Sequence, residues 1–176
     1  MIYEFRYYTA VPGKLPAINA RFAGHTIGIF KSHGIGIMGF WTDEIGTSNL
    51  LTYVLTFDSM ADREEKWTAF QADQGWQRIR AESEKGGALV AVVHNAFMRP
   101  TPYSPKPSLK SNIQELRIYD TMPGKLPALH DRFSTHTISL FEKHGIENIG
   151  YWTEEVGTSS RLVYMLGYPS LGDREK

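Results

Sequence analysis

No cysteine occurs in the 176 residues. That excludes a disulfide framework, a thiolate nucleophile and a thiolate metal site, and it fits a reducing compartment. Neither charge is in excess: nineteen acidic side chains balance nineteen basic ones, with no block of like sign. Such a chain has no overall field to draw nucleic acid or anionic lipid. No apolar run approaches the roughly 20 residues that span a bilayer. The opening MIYEFRYY carries neither a signal-peptide nor a transit-peptide pattern. The expectation is a cytoplasmic chain with no nucleic-acid or membrane partner. A phosphate-binding loop is missing too, since GIGIMG (34–39) falls within a strand pattern and lacks the strand-to-helix context such a loop needs. His25 and His33 stand eight apart, not the i, i+4 of a helical zinc site, and no third ligand accompanies them. No metal or organic cofactor is expected.

What the chain does have is apolar content for a core, 41% hydrophobic and 12% aromatic residues, and a repeat. PGKLPA at 12–17 returns at 123–128. A shift of 111 aligns 4–65 with 115–176 without a gap, with 32 identities in 62 positions. The chain is a tandem duplication. Between the copies lies RPTPYSPKPSLKSN (99–112), whose four prolines favour extended backbone and predict a linker. The predicted organisation is a module at 1–98, the linker at 99–112 and a second module at 113–176.

Each copy parses alike. Tyr3, Phe5 and Tyr7 alternate with Glu4, Arg6 and Tyr8, the period of a strand. Pro12-Gly13 marks a turn, and a helix is predicted from about Lys14 to His33. Leu15, Ile18, Phe22, Thr26, Ile29 and His33 form its apolar stripe, with Gly34 as its left-handed stop. IGIMGFWTDE and SNLLTYVLTF form a hairpin about Gly46-Thr47, apolar enough for both faces to be covered. Ser59-x-x-Asp62 caps a further helix, Asp73 re-caps a second segment, and ALVAVVHNAFM closes the module as a strand. The order βαββαβ is ferredoxin-like. The second copy reaches only the start of its second helix, so the expected fold class is α+β with two ferredoxin-like modules, the second truncated.

These residues resemble the NIPSNAP family of the dimeric α+β barrel superfamily. The resemblance rests on YEFRYYTAVPGKLPA, HTIGIFKSHGI, the paired W-T-x-E hairpins and DREEKWTAFQADQGW, and on ELRIYDTMPGKLPAL, HTISLFEKHGI and DRE in the second copy. It implies that ferredoxin-like sheets pair face to face as a barrel, here from two modules of one chain, with a homo-oligomer as the further expectation. The superfamily includes cofactor-free oxygenases, haem-degrading enzymes, isomerases and proteins of no known activity, and the biochemistry of NIPSNAP members is mostly unsettled.

The residue pattern offers several candidates. His25, at the edge of the helical stripe beside Arg21, is repeated as His136 beside Arg132. A half-buried imidazole next to a cation would stay neutral and serve as a base, with Arg holding an anionic substrate. The same position also suits a histidine that merely satisfies backbone. His33 and His144, each before glycine, read as helix C-caps. Glu4, Arg6 and Tyr8, repeated as Glu115, Arg117 and Tyr119, make a polar row that is either a cross-strand ion pair or the polar patch of a pocket. The walls of that pocket would be Phe40, Trp41 and Tyr53, or Trp152 and Tyr164 in the second copy. Three functions follow: a small-molecule enzyme or binder with His25 or His136 as acid/base, a non-catalytic scaffold, and a haem-binding or haem-degrading protein.

Overall fold

The computed structural model describes all 176 residues, in two compact units, Met1–Ala96 and Phe97–Lys176. The first unit runs β1 (Ile2–Ala10), α1 (Leu15–Arg21), a π-helical turn (Phe22–Thr26), α2 (Ile27–Ser32), β2 (Gly36–Thr42) and β3 (Leu50–Phe57). It continues through α3 (Met60–Ala72), α4 (Gln74–Ser83) and β4 (Val90–Pro100), whose last four residues belong to the second unit. Its strand order is β2-β3-β1-β4, the ferredoxin-like arrangement. In the second unit, Phe97–Pro100 pair antiparallel with β6 (Glu147–Val156). β7 (Arg161–Tyr168) and β5 (Ile113–Asp120) follow in the sheet. α5 (Leu126–Arg132), a second π-helical turn (Phe133–Thr137) and α6 (Ile138–Lys143) lie between β5 and β6, and α7 (Leu171–Glu175) follows β7. Arg99 and Pro100, expected in the linker, instead end β4 opposite Thr153 and Trp152. A proline has no N–H to give a ladder, so the end of a strand is where one fits.

Local chemistry explains the boundaries. Gly13 and Gly124 take φ of 78° and 76° in the turns before the first helix of each copy, a region closed to most residues. Pro16 and Pro127 sit in the first helical turn, where an N–H has no partner to lose. Ser59 and Ser170 accept the N–H of Asp62 and Asp173 at 3.1 Å, capping α3 and α7.

The continuous helix predicted for 14–33 has a π-helical turn at its centre, in both copies. Thr26 Oγ1 donates to the carbonyl of Arg21 at 3.3 Å, and Thr137 does the same to Arg132. Such a turn adds the equivalent of one residue, and one residue rotates an α-helix by about 100°. The buried stripe therefore runs Ile18, Phe22, Thr26, Phe30 rather than ending on Ile29. Phe30 packs against Phe70 with ring centroids 4.8 Å apart, and Phe22 against Tyr53 at 5.1 Å.

Beneath this helical layer the β1 row is buried, but it is not a cross-strand pair. Glu4 and Arg6 are i, i+2 neighbours on one face of one strand, and Arg6 Nη1 donates to Glu4 Oε1. Arg63 of α3 reaches the same carboxylate with two donors, Nε at 3.0 Å and Nη2 at 3.1 Å, and Asn95 of β4 adds a third partner at 3.0 Å. Arg6 also donates to Tyr53 Oη at 2.8 Å and Tyr8 Oη at 3.2 Å. Its guanidinium lies 4.4 Å from the Trp67 ring centroid, and that of Arg63 lies 4.8 Å from it. Burial alone would push the Glu4 carboxyl up, but the hydrogen bonds of Arg63 and the charges of Arg6 and Arg63 outweigh it and hold the carboxyl below its ordinary value. The second unit repeats the core of this network: Arg117 meets Glu115 at 3.0 Å and Arg174 meets it at 2.8 Å.

Two outcomes follow. Phe30→Ala is expected to cost about 3 to 5 kcal/mol, and Ile29→Ala about 1 kcal/mol because that side chain is only half-buried. Urea denaturation measures both, and equal costs would contradict the shifted stripe. Glu4→Gln strands two guanidiniums and should cost about 3 kcal/mol at neutral pH, whereas Glu115→Gln, with more exposed partners, should cost less than about 1 kcal/mol. A carboxyl whose folded pKa is lowered binds fewer protons folded than unfolded. Its contribution is thus complete above about pH 4.3, the unfolded value, and fades as pH falls through the folded one. The stability–pH curve of Glu4→Gln should be flatter there than that of the parent.

Candidate functional site

A groove of about 250 Å³ opens in the first unit between the first helix and the β2–β3 hairpin. α1 contributes Asn19, the π-helical turn Phe22 and Ala23, and α2 Ile27. Phe40, Trp41 and Thr42 of β2 form the opposite wall, with Leu51 of β3. β2 has a strand on one side only, so its residues border the opening. Ala23 keeps the groove open because its side chain stops at Cβ, while the π-helical turn holds Phe22 inward against Phe40, centroids 5.3 Å apart.

The floor is tied to the polar network. Phe40 stacks on Tyr53 with centroids 5.3 Å apart and an interplanar angle of 18°. Tyr53 is wholly buried and takes the Arg6 hydrogen bond from below. Burial pushes its phenol well above the ordinary value, so it remains a neutral hydroxyl. Tyr8 meets Phe22 and Tyr53 edge-on at 6.1 and 5.1 Å.

Of the residues singled out in the sequence, the groove gathers Phe40 and Trp41, with Tyr53 and Tyr8 behind them. Arg6 lies one layer deeper, its Nε, Nη1 and Nη2 each donating within the network. His25 and His136 are exposed rather than half-buried, because the π-helical turn that carries each of them turns it to solvent. Arg21 faces the other way. It is buried, donates to Ser83 Oγ at 3.1 Å and Glu84 Oε1 at 2.9 Å, and stands 5.5 Å from the Trp76 ring. The expected His–Arg flank is therefore split between surface and interior. Arg132 is exposed above Phe133, 5.6 Å from its ring centroid. Trp152 and Tyr164 are wholly buried, and Arg117 is half-buried beside Glu115.

His33 ends α2, and its Nε2 lies 2.9 Å from Asp73 Oδ2. Asp73 caps α4 through the Trp76 N–H at 2.8 Å, and that bond, helped by His33, holds its carboxyl below the ordinary value. His144, without such a partner, is exposed. Glu44 is exposed, and Glu155 pairs with Arg99 at 2.7 Å. No three His, Asp or Glu side chains are grouped as a metal ion would require.

Sequence reasoning missed Asn19, Ala23, Ile27, Thr42 and Leu51 as groove residues. It also missed Tyr103, which packs on the second unit from inside the expected linker, its hydroxyl hydrogen-bonded with His130 Nδ1 at 2.6 Å. What the groove can do chemically is bind. Its walls hold two polar side chains, Asn19 and Thr42, and no titratable one.

A family model described as NIPSNAP matches residues 3–105 and 114–176. A NipSnap homolog of Dictyostelium discoideum is 25% identical over 182 residues, which span 98% of this chain and 72% of that protein. A NIPSNAP family protein with unknown function from Agrobacterium tumefaciens, solved by crystallography, is 31% identical and covers 60% of this chain and 92% of its own, with a TM-score of 0.54. A structure from Lactobacillus acidophilus, described as a candidate monooxygenase, covers 99% of this chain and 79% of its own at a TM-score of 0.64, but with 10% identity it speaks to the fold alone. No helix is long and apolar enough to cross a membrane. With both copies matched by one family model, and a ferredoxin-like fold beneath them, the chain belongs to the NIPSNAP family.

Proposed function

We propose that the protein binds a small, largely apolar molecule in the groove of the first unit, and that this groove is a receptor rather than an acid–base active site. The observation that carries the reading is the composition of its walls. Phe22, Ile27, Phe40, Trp41 and Leu51 supply apolar area, Asn19 and Thr42 supply orientation, and no side chain there can take or give a proton near neutral pH. Concave, mostly apolar and holding a few placed polar groups, the groove has the make-up of a small-molecule site. Its size suits a single substituted ring. His25 stands outside the walls, so the reading requires no chemistry from it.

Titration of the isotope-labelled protein with toluene, followed by amide NMR, is the direct measurement. Saturable shifts centred on Ala23, Ile27 and Phe40 are expected, together with a fluorescence change that disappears in Trp41→Phe. Ala23→Trp should fill the groove and abolish those shifts. Because residue 23 is exposed, that variant should keep its melting temperature to within about 2 °C. Shifts scattered over the surface, or none up to the aqueous solubility of toluene, would sink the proposal.

A further inference from the structure

The side chains that line the first-unit groove have counterparts in the second copy, and there a tyrosine packs against them. The 111-residue shift carries Asn19 to His130, Phe22 to Phe133, Phe40 to Tyr151 and Leu51 to Leu162. In the second unit Tyr103 packs against the cluster that holds Phe133, Tyr151 and Leu162. Its ring lies 5.7 Å from that of Tyr151 at 60°, and its hydroxyl is hydrogen-bonded with His130 Nδ1 at 2.6 Å. The backbone fixes it there. Thr101 to Ser104 form a β-turn closed by Ser104 N–H to Thr101 O at 3.0 Å, with Pro102 at the position that favours proline. The turn is clamped to β6 by Thr101 N–H to Tyr151 O at 2.9 Å and by Tyr151 N–H to Ser104 Oγ at 2.9 Å. Tyr103 lies outside the aligned repeat, which begins at Glu4 and Glu115. The first-unit groove instead stands open beside the edge strand β2, with Asn19 exposed in its wall where the second unit has His130.

We infer that the first-unit groove is a receptor for a para-substituted phenol, and that Tyr103 is a built-in occupant of the same receptor in the second unit. The inference rests on reading the groove as a binding site and adds the class of ligand. A tyrosine side chain is a phenol carrying an alkyl group para to its hydroxyl. The contacts it finds in the second unit define what the first unit offers: an aromatic wall for the ring, and a hydrogen-bonding side chain from the first helix for the hydroxyl. Asn19 provides both a carbonyl acceptor and an amide donor at that place. The duplicated protein thus presents one open site and one closed by its own linker.

The test compares p-cresol with toluene, which differ only by the hydroxyl, using amide NMR on the whole chain. One site should bind p-cresol roughly fivefold tighter than toluene, the scale of one added neutral hydrogen bond. Asn19→Ala should erase that preference, p-cresol and toluene then binding equally. Tyr103→Ala should open a second p-cresol site with shifts at His130 and Tyr151, and Tyr103→Phe, which keeps the ring in place, should not. If toluene binds as tightly as p-cresol, the phenol inference is overturned while the groove remains a binding site. If neither binds, both readings fall. A folded Tyr103→Ala protein that still binds one equivalent overturns the idea of a closed twin. Should that variant not fold, Asn19→His carries the test: it installs the second unit's donor set on an exposed residue, and a p-cresol affinity no higher than the parent's refutes the correspondence.

Discussion

One buried carboxylate organises the first unit. Glu4 has lost all contact with water and faces two guanidiniums, one on its own strand and one on α3. A buried carboxylate without partners is too costly to persist, so the position of α3 over β1 is not free: Arg63 must reach Glu4 from the helix, and Asn95 must reach it from β4. The constraint then passes upward. Arg6 shares its donors between Glu4 and the hydroxyls of Tyr53 and Tyr8, which fixes both rings, and Tyr53 in turn is the surface on which Phe40 stacks. The groove floor is therefore set by an ion network two layers below it.

The duplication shows which parts of this chain of contacts can stand alone. Glu115, Arg117, Tyr119, Tyr164 and Arg174 repeat Glu4, Arg6, Tyr8, Tyr53 and Arg63, and the stacked pair Tyr151–Tyr164 repeats Phe40–Tyr53 at 5.4 Å and 14°. The second network nevertheless has solvent at its margins, its Arg117 and Arg174 side chains being 32% and 47% exposed. Water then screens the same ion pairs that the first unit keeps dry, and their contribution shrinks toward that of surface pairs. Geometry is copied, while energy follows exposure.

Much of this was legible in the sequence. The period-two run at 3–8, the glycine turns, the Ser59 and Asp73 caps and the hairpin all fell where local pattern put them, because each rests on chemistry that acts within a few residues. The polar row was visible but its partners were not. Arg63 is 59 residues from Glu4, and nothing in a strand pattern announces which helix will supply the second charge. The π-helical turn was invisible for a different reason. A helical wheel assumes one angular step per residue, so a single extra residue at Phe22–Thr26 misplaces every side chain near it. That one error put Ile29 in the core instead of Phe30, and set His25 beside Arg21 when they face opposite ways. Tyr103 was hidden by composition, since a proline-rich stretch reads as linker whether or not one of its side chains docks.

That the π-helical turn survives in both copies argues that it is part of the design of the groove rather than an irregularity. The two turns differ at Ala23/Ser134 and Gly24/Thr135 but keep Phe, His and Thr at the same places. The threonine side chain donates to the carbonyl five residues back in both copies. In the first unit the widened turn lets Phe22 meet Tyr8, Phe40 and Tyr53 at once while the next residue, a small one, stands at the mouth of the groove. In the second unit Phe133 meets Tyr119, Tyr151 and Tyr164 in the same way. A regular helix would direct the residues beyond the turn about 100° away and pull one wall off the groove. The helix gives up regular hydrogen bonding where doing so leaves a ring-sized opening against β2 in the first unit, and both copies keep the same spacing between Phe and Thr.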